Sequence, residues 1–287
     1  MLNLGKVHLT LFKRTFLALP IIALPMFFPV VAHAAPIPVD LSGWIENGFK
    51  GNNGAGTWTT QGAGNDSVLQ SINGEPTVFF QSGRNAQGTN LKGTIQVNTS
   101  SDDDFIGFFL GYQADELNST SADFWMIDWK QNTQPFGGTT ATVGLALSHV
   151  NGDIANGPDA SPPFWAHSNY VTEVQRATNL GSTGWVDFQE YAFDLIFTST
   201  RIQVKVDGVV ELDYTGSFTD GAFGFYNYSQ PTVLYAGITE ENLPDPCDTN
   251  PPGQGGCPAT GQVPVPGTLW LMGLAILGLG QMRRKLA

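Results

Sequence analysis

The sequence is poor in positive charge, in cysteine and in any apolar pattern with a helical period. Only 13 of 287 residues are Lys or Arg, against 25 acidic ones. Six of the basic residues (Lys6, Lys13, Arg14, Arg283, Arg284, Lys285) lie near the two ends, so residues 35–262 hold 7 against 25 and a net charge of −18. A surface of that sign repels phosphate backbones and argues against nucleic acid as a partner. It attracts cations, divalent ones most. Cysteine occurs twice, as Cys247 and Cys257, which fits one disulfide in an oxidising compartment; two free thiols in a tail is the other reading. No Gly-x-Ser-x-Gly elbow or phosphate loop occurs, and His149 and His167 lack the spacing of zinc ligands. His167 reads as a structural hydrogen-bonder.

Glycine is abundant, at 34 residues, and suits turns better than helix interiors. From Ala35 to Glu241, strand-like runs recur between clusters of Gly, Asn, Asp, Ser and Thr. Val68–Ile72 and Thr77–Phe80 flank the turn Asn73–Pro76, and Leu91–Val97 alternates. Phe105–Tyr112 is apolar on both faces, as a central strand with a covered outer side requires. An aromatic-rich run, Phe124–Gln131, follows it. Residues 137–170 read as loop, with a possible strand at Thr142–Leu147. Ile202–Val206 and Val209–Asp213 alternate around Asp207-Gly208, a strong tight-turn signal, with Ile202, Val204 and Val206 inward. Ala222–Tyr228 and Thr232–Ile238 end the series. These runs predict an all-β jelly-roll sandwich of two antiparallel sheets.

The ends read as addresses. Residues 1–34 carry a basic start, the uncharged run Phe16–Val31 and the small-x-small step Ala32-His33-Ala34, the pattern of a cleaved signal peptide. Residues 242–262 form a Pro/Gly-rich linker. In residues 263–287, Val263-Pro264-Val265-Pro266 precedes an apolar run, and Arg283-Arg284-Lys285 closes it; Val263–Met282 has the length of a membrane span. Proline motif, apolar helix and basic end resemble the PEP-CTERM sorting signal of Gram-negative bacteria, with Val265 where the namesake Glu usually stands. The resemblance implies an exosortase as partner. It implies export, transient anchoring in the inner membrane by the helix before processing, and then a cell-surface or extracellular location. A plain single-span anchor is the alternative.

A second resemblance covers roughly residues 66–238. Asp102-Asp103-Asp104-Phe105-x-Gly107-Phe108, Gly111-Tyr112-Gln113 and Trp129-Lys130-Gln131, with Trp165, His167, Gly184-Trp185 and Gly224-Phe225, are similar to the thrombospondin C-terminal domain, a lectin-like β-sandwich. Asp128 departs from the pattern by replacing an apolar residue, and Asn227 stands where the animal proteins carry a cysteine. The Asp-x-Asp repeats that precede this domain in thrombospondins are absent from the sequence.

Three chemical readings follow. The acidic turn Asp102, Asp103 and Asp104 is the candidate metal site, with calcium as cofactor: calcium takes six to eight oxygens at flexible geometry, and the family resemblance implies calcium dependence. Trp165, Tyr170 and Trp185 lie in or beside polar loops and are the candidate ligand-binding residues, since aromatic rings suit sugar stacking and protein interfaces. Glu211-Leu212-Asp213 begins a laminarinase-type hydrolase signature, but Gly216 stands where its second essential carboxylate belongs. The expected function is therefore non-enzymatic: an exported calcium-binding module for adhesion or matrix and biofilm association, with an extracellular polysaccharide or matrix protein as partner. A structural matrix protein without a discrete ligand is the second reading, and a glycan hydrolase the third.

Overall fold

The computed structural model describes residues 36–52 and 55–243. The predicted signal peptide, linker and sorting helix, and both cysteines, lie outside the described residues. Among the described residues no helix is long and apolar enough to cross a membrane.

The strands are β1 (Ile37–Pro38), β2 (Ile45–Gly48), β3 (Trp58–Gln61), β4 (Ser67–Gln70), β5 (Thr77–Phe80), β6 (Thr89–Val97), β7 (Phe105–Tyr112), β8 (Ala122–Lys130), β9 (Gln134–Phe136), β10 (Thr139–Ala141), β11 (Gly144–Gly152), β12 (Val171–Arg176), β13 (Glu190–Phe197), β14 (Arg201–Val206), β15 (Val209–Thr215), β16 (Ala222–Tyr228) and β17 (Val233–Asn242). One sheet runs β15-β14-β13-β6-β17-β4-β3, with β1 against β17; the other runs β12-β11-β8-β7-β16-β5-β2. All pairings are antiparallel, and β9–β10 forms a separate small hairpin. The two-sheet sandwich expected from the strand pattern, lectin-like as the family resemblance implies, is present, and β7 and β8 are neighbours at its centre. Asp207 (φ 49°) and Gly208 (φ 79°) form the predicted β14–β15 turn. The segment after β4 behaves differently from a hairpin: it carries the chain from one sheet to the other, since β4 pairs with β17 and β5 with β16.

Alternation sorts the side chains into two cores. Between the sheets lie Phe108, Trp129, Leu195, Phe225 and Tyr235. The outward face of the second sheet builds another core from Phe105, Phe109, Phe124 and Tyr226. Chain 153–170, with the short helix α1 (Ser161–Ala166), covers that face with Ile154, Phe164, Trp165 and Tyr170. Each such side chain contributes about 1.5–3 kcal/mol by leaving water, so this lid is part of the fold. It explains why every residue of β7 is buried. The outward face of the first sheet is polar, with Lys92–Glu241 at 3.3 Å and Arg201–Asp213 at 2.6 Å.

Register defines two poles. Val97 pairs with Val233 at one and Thr89 with Asn242 at the other. The acidic turn enters β7 at the Val97 pole, where the Asp104 N–H donates to Gln230 Oε1. Leu243 leaves the sandwich at the opposite pole, where its N–H donates to Gly88 O.

Candidate functional site

Asp103, Asp104 and Trp165, flagged by the sequence, converge around one buried ammonium. Lys130 ends β8 with its side chain fully buried. Its Nζ donates to Asp103 O at 2.7 Å, Asp103 Oδ1 at 2.9 Å, Asp104 Oδ1 at 2.6 Å and Gln134 Oε1 at 2.9 Å. The rings of Trp165 and Phe105 lie 5.1 and 5.6 Å from it, within cation–π range. Trp185 closes the same node from below: its Nε1 donates to Asp104 O at 3.0 Å and Trp129 O at 3.1 Å.

Asp102, Asp103 and Asp104 do bring their carboxylate oxygens within 4.8 Å of one another. Their environments differ. Asp104 is buried, while Asp102 and Asp103 are half-buried. Asp102 accepts from Asn73 Nδ2 and from the Asp103 N–H. A divalent ion on Asp104 Oδ1 and the bonded oxygen of Asp103 would lie against the Lys130 ammonium. Repulsion there is about 4 kcal/mol per unit of ionic charge at ~4 Å in a protein-like dielectric. The three-Asp calcium set expected from sequence therefore does not fit on its inner side. What remains for a cation is the half-exposed side of Asp102 and Asp103.

The expectation for the aromatics is corrected. Trp165, Tyr170 and Trp185 are 3%, 7% and 1% exposed, so none offers a ring face on the protein surface. Trp165 stacks edge-on against Phe105 and Tyr228 and donates to Gln134 O. The Tyr170 hydroxyl donates to Pro158 O and pins the lid. Polar neighbours in sequence misled because these rings cross their loops into the two cores.

Sequence reasoning missed a buried relay on the outer face of the second sheet. Asp128 Oδ2 lies 2.8 Å from His167 Nε2, and His167 Nδ1 lies 2.9 Å from Glu173 Oε2, which also accepts from Arg176 at 2.8 Å. Burial alone would pull the His167 pKa down; Asp128 and Glu173 outweigh it and raise it to about 9. His167 is thus the structural hydrogen-bonder expected, and the unusual Asp128 is its counter-ion. His167, Glu173, Arg176, Thr140, Thr142 and Trp165 line a cavity of about 140 Å³.

Both carboxylates of the hydrolase signature are engaged within the fold. Glu211 is 3% exposed and accepts the N–H groups of Asn179 and Leu180 at 2.8 and 3.0 Å. Asp213 meets Arg201 through both oxygens, at 2.8 and 2.6 Å, on the outer face. One carboxylate is a buried cap and the other a surface ion-pair partner.

The family profile described as "Thrombospondin C-terminal region" matches residues 54–242, more than half of the chain. The chain belongs to that family. Residues 262–285 match the PEP-CTERM protein-sorting motif. Similar curated proteins include thrombospondin-1 of Xenopus laevis, 26% identical over 202 residues, a match that covers 64% of this chain and 16% of that protein. Human cartilage oligomeric matrix protein is 25% identical, covering 67% of this chain and 27% of its own length. The chain thus spans well under a third of the curated relatives it matches. Among solved structures, the carbohydrate-binding module CBM66 from Bacillus subtilis aligns at TM-score 0.48 and 11% identity, covering 72% of this chain and 99% of that one. Within the thrombospondin C-terminal family, the match spans both sheets and the acidic turn.

Proposed function

We propose that this is an exported, non-catalytic thrombospondin C-terminal module, processed by an exosortase and displayed or released for adhesion or extracellular matrix association. One observation carries the reading: the acidic turn lies at the pole opposite the one where the chain leaves toward its sorting motif. A module held by its C-terminal end keeps that pole clear of the tether. The sorting motif supports an exosortase as partner, transient anchoring in the inner membrane and a final place at the surface or outside a Gram-negative cell. The domain boundaries proposed with this reading are signal peptide 1–34, sandwich 35–241, linker 242–262 and sorting signal 263–287; β17 runs to Asn242. The buried cap role of Glu211 supports the non-enzymatic reading.

Calcium enters this reading at the half-exposed side of Asp102 and Asp103 only, with water completing its shell. Such a sparse set matches the weak affinities of extracellular modules, about 10⁻⁴–10⁻³ M. The partner is an extracellular polysaccharide or a matrix protein, contacted by the pole that carries the acidic turn.

The test uses the protein recovered from cultures of its host. Its retention on the cells' own extracellular matrix is measured with calcium and with EDTA, beside an Asp102→Asn/Asp103→Asn variant. The expected result is calcium-dependent retention that the folded variant loses. Folded wild-type protein that never sediments with the matrix, under either condition, would overturn the reading. In an exosortase-deficient strain the uncut form should accumulate in the membrane.

A further inference from the structure

We infer that the acidic turn is closed by the chain's own cation: the Lys130 ammonium does the work of a divalent ion there, so the sandwich assembles without calcium. Removing that ammonium would convert Asp103 and Asp104 into a divalent-cation site.

Geometry carries this. Nζ sits in a shell of four oxygens at 2.6–2.9 Å, two from carboxylates, one from a backbone carbonyl and one from a side-chain amide. That is the mixture of donors a hard cation takes. The oxygens come from the segment before β7 and from the start of β9, at the end of the central pair where Phe105 is opposite Lys130: Asp103 and Asp104 precede β7, and Gln134 opens β9. The ammonium therefore ties together segments that in a metal-bound loop the ion would tie. It is also sealed in. The Lys130 side chain is fully buried, Phe105 and Trp165 flank it, and the Trp185 indole holds Asp104 O. The next backbone contact belongs to the same knot: the Gln131 N–H donates to Asp103 O at 3.2 Å. The ammonium is tethered to the chain, so its occupancy does not depend on the calcium concentration outside the cell.

The inference shares only Asp103 with the proposed function. Its test reads stability and an ammonium signal instead of matrix retention, so either can fail alone. The full processed protein is unfolded and refolded in excess EDTA and in millimolar calcium. Wild type should refold cooperatively in EDTA. Lys130→Met should melt several degrees lower than wild type in EDTA, and calcium should raise its midpoint by clearly more than it raises that of wild type. A wild type that cannot refold in EDTA, or a Lys130→Met protein that responds to calcium no more than wild type does, overturns the inference. If Lys130→Met folds in neither buffer, nitrogen-detected NMR of the wild-type ammonium decides. A protected Lys130 resonance that calcium leaves in place supports the inference, and one that calcium displaces refutes it.

Discussion

Lys130 Nζ lies 2.6 Å from Asp104 Oδ1, with 0% and 4% of the two side chains exposed. Removing one partner of such a pair leaves a buried, uncompensated charge and costs about 3–5 kcal/mol. Lys130→Met alone should therefore destabilise by that amount in metal-free buffer. The double variant Lys130→Met/Asp104→Asn should cost less than the sum of the single changes, by about 0.5–3 kcal/mol of coupling. Urea unfolding of the four proteins measures it; strictly additive costs would mean that the two groups do not depend on each other.

The Asp128–His167–Glu173 relay gives stability a pH dependence of definite sign. His167 titrates near 9 in the fold, raised from an ordinary 6.5. A raised pKa means that the folded state binds the proton more tightly, so its stabilisation is complete below pH 6.5 and drains away as pH rises through 9. The wild-type melting midpoint should fall across that interval, and the fall should be much shallower in His167→Gln. An equally steep fall in the variant would assign the effect to another group.

Much of the sandwich is legible in the sequence because strands report themselves through period-two alternation, as Ile202, Val204 and Val206 do, and through Asp207-Gly208. The lid is not. Ile154, Phe164 and Tyr170 are buried, yet Ile154 and Tyr170 sit in irregular chain and Phe164 in a six-residue helix too short to show a period. Residue type also misleads at the node. Three aspartates read as a metal turn until the fold brings Lys130 among them. The pairing depends on strand register between β7 and β8, which composition does not encode.

Gly184 precedes Trp185 where the loop crosses the backbone of Gln131. A Cβ at position 184 would stand 1.9 Å from Gln131 O and 2.5 Å from Gln131 C. Backbone cannot step aside as a flexible side chain does, so Gly184→Ala should cost at least the upper part of the usual overpacking range, about 1–3 kcal/mol. It should also loosen Trp185, whose indole bonds to Asp104 O and Trp129 O fix the node. A red shift of tryptophan emission together with a lower unfolding midpoint checks both. An unchanged midpoint would show that the loop has room to move.

Glu211 separates the binding reading from the hydrolase. Its carboxylate accepts from the Asn179 and Leu180 N–H groups and from Asn179 Nδ2, which closes the turn between β12 and β13 onto β15. Glu211→Gln keeps one acceptor oxygen for the two backbone N–H groups but turns charge-assisted bonds into neutral ones, at a cost of about 1 kcal/mol. If the residue is a cap, the variant should melt lower, and wild type and variant alike should release no reducing sugar from the host's exopolysaccharide. If it is a catalytic acid, wild type should release sugar and the variant should lose that release while melting as wild type does. The two outcomes move different instruments, so a single preparation of each protein decides between them.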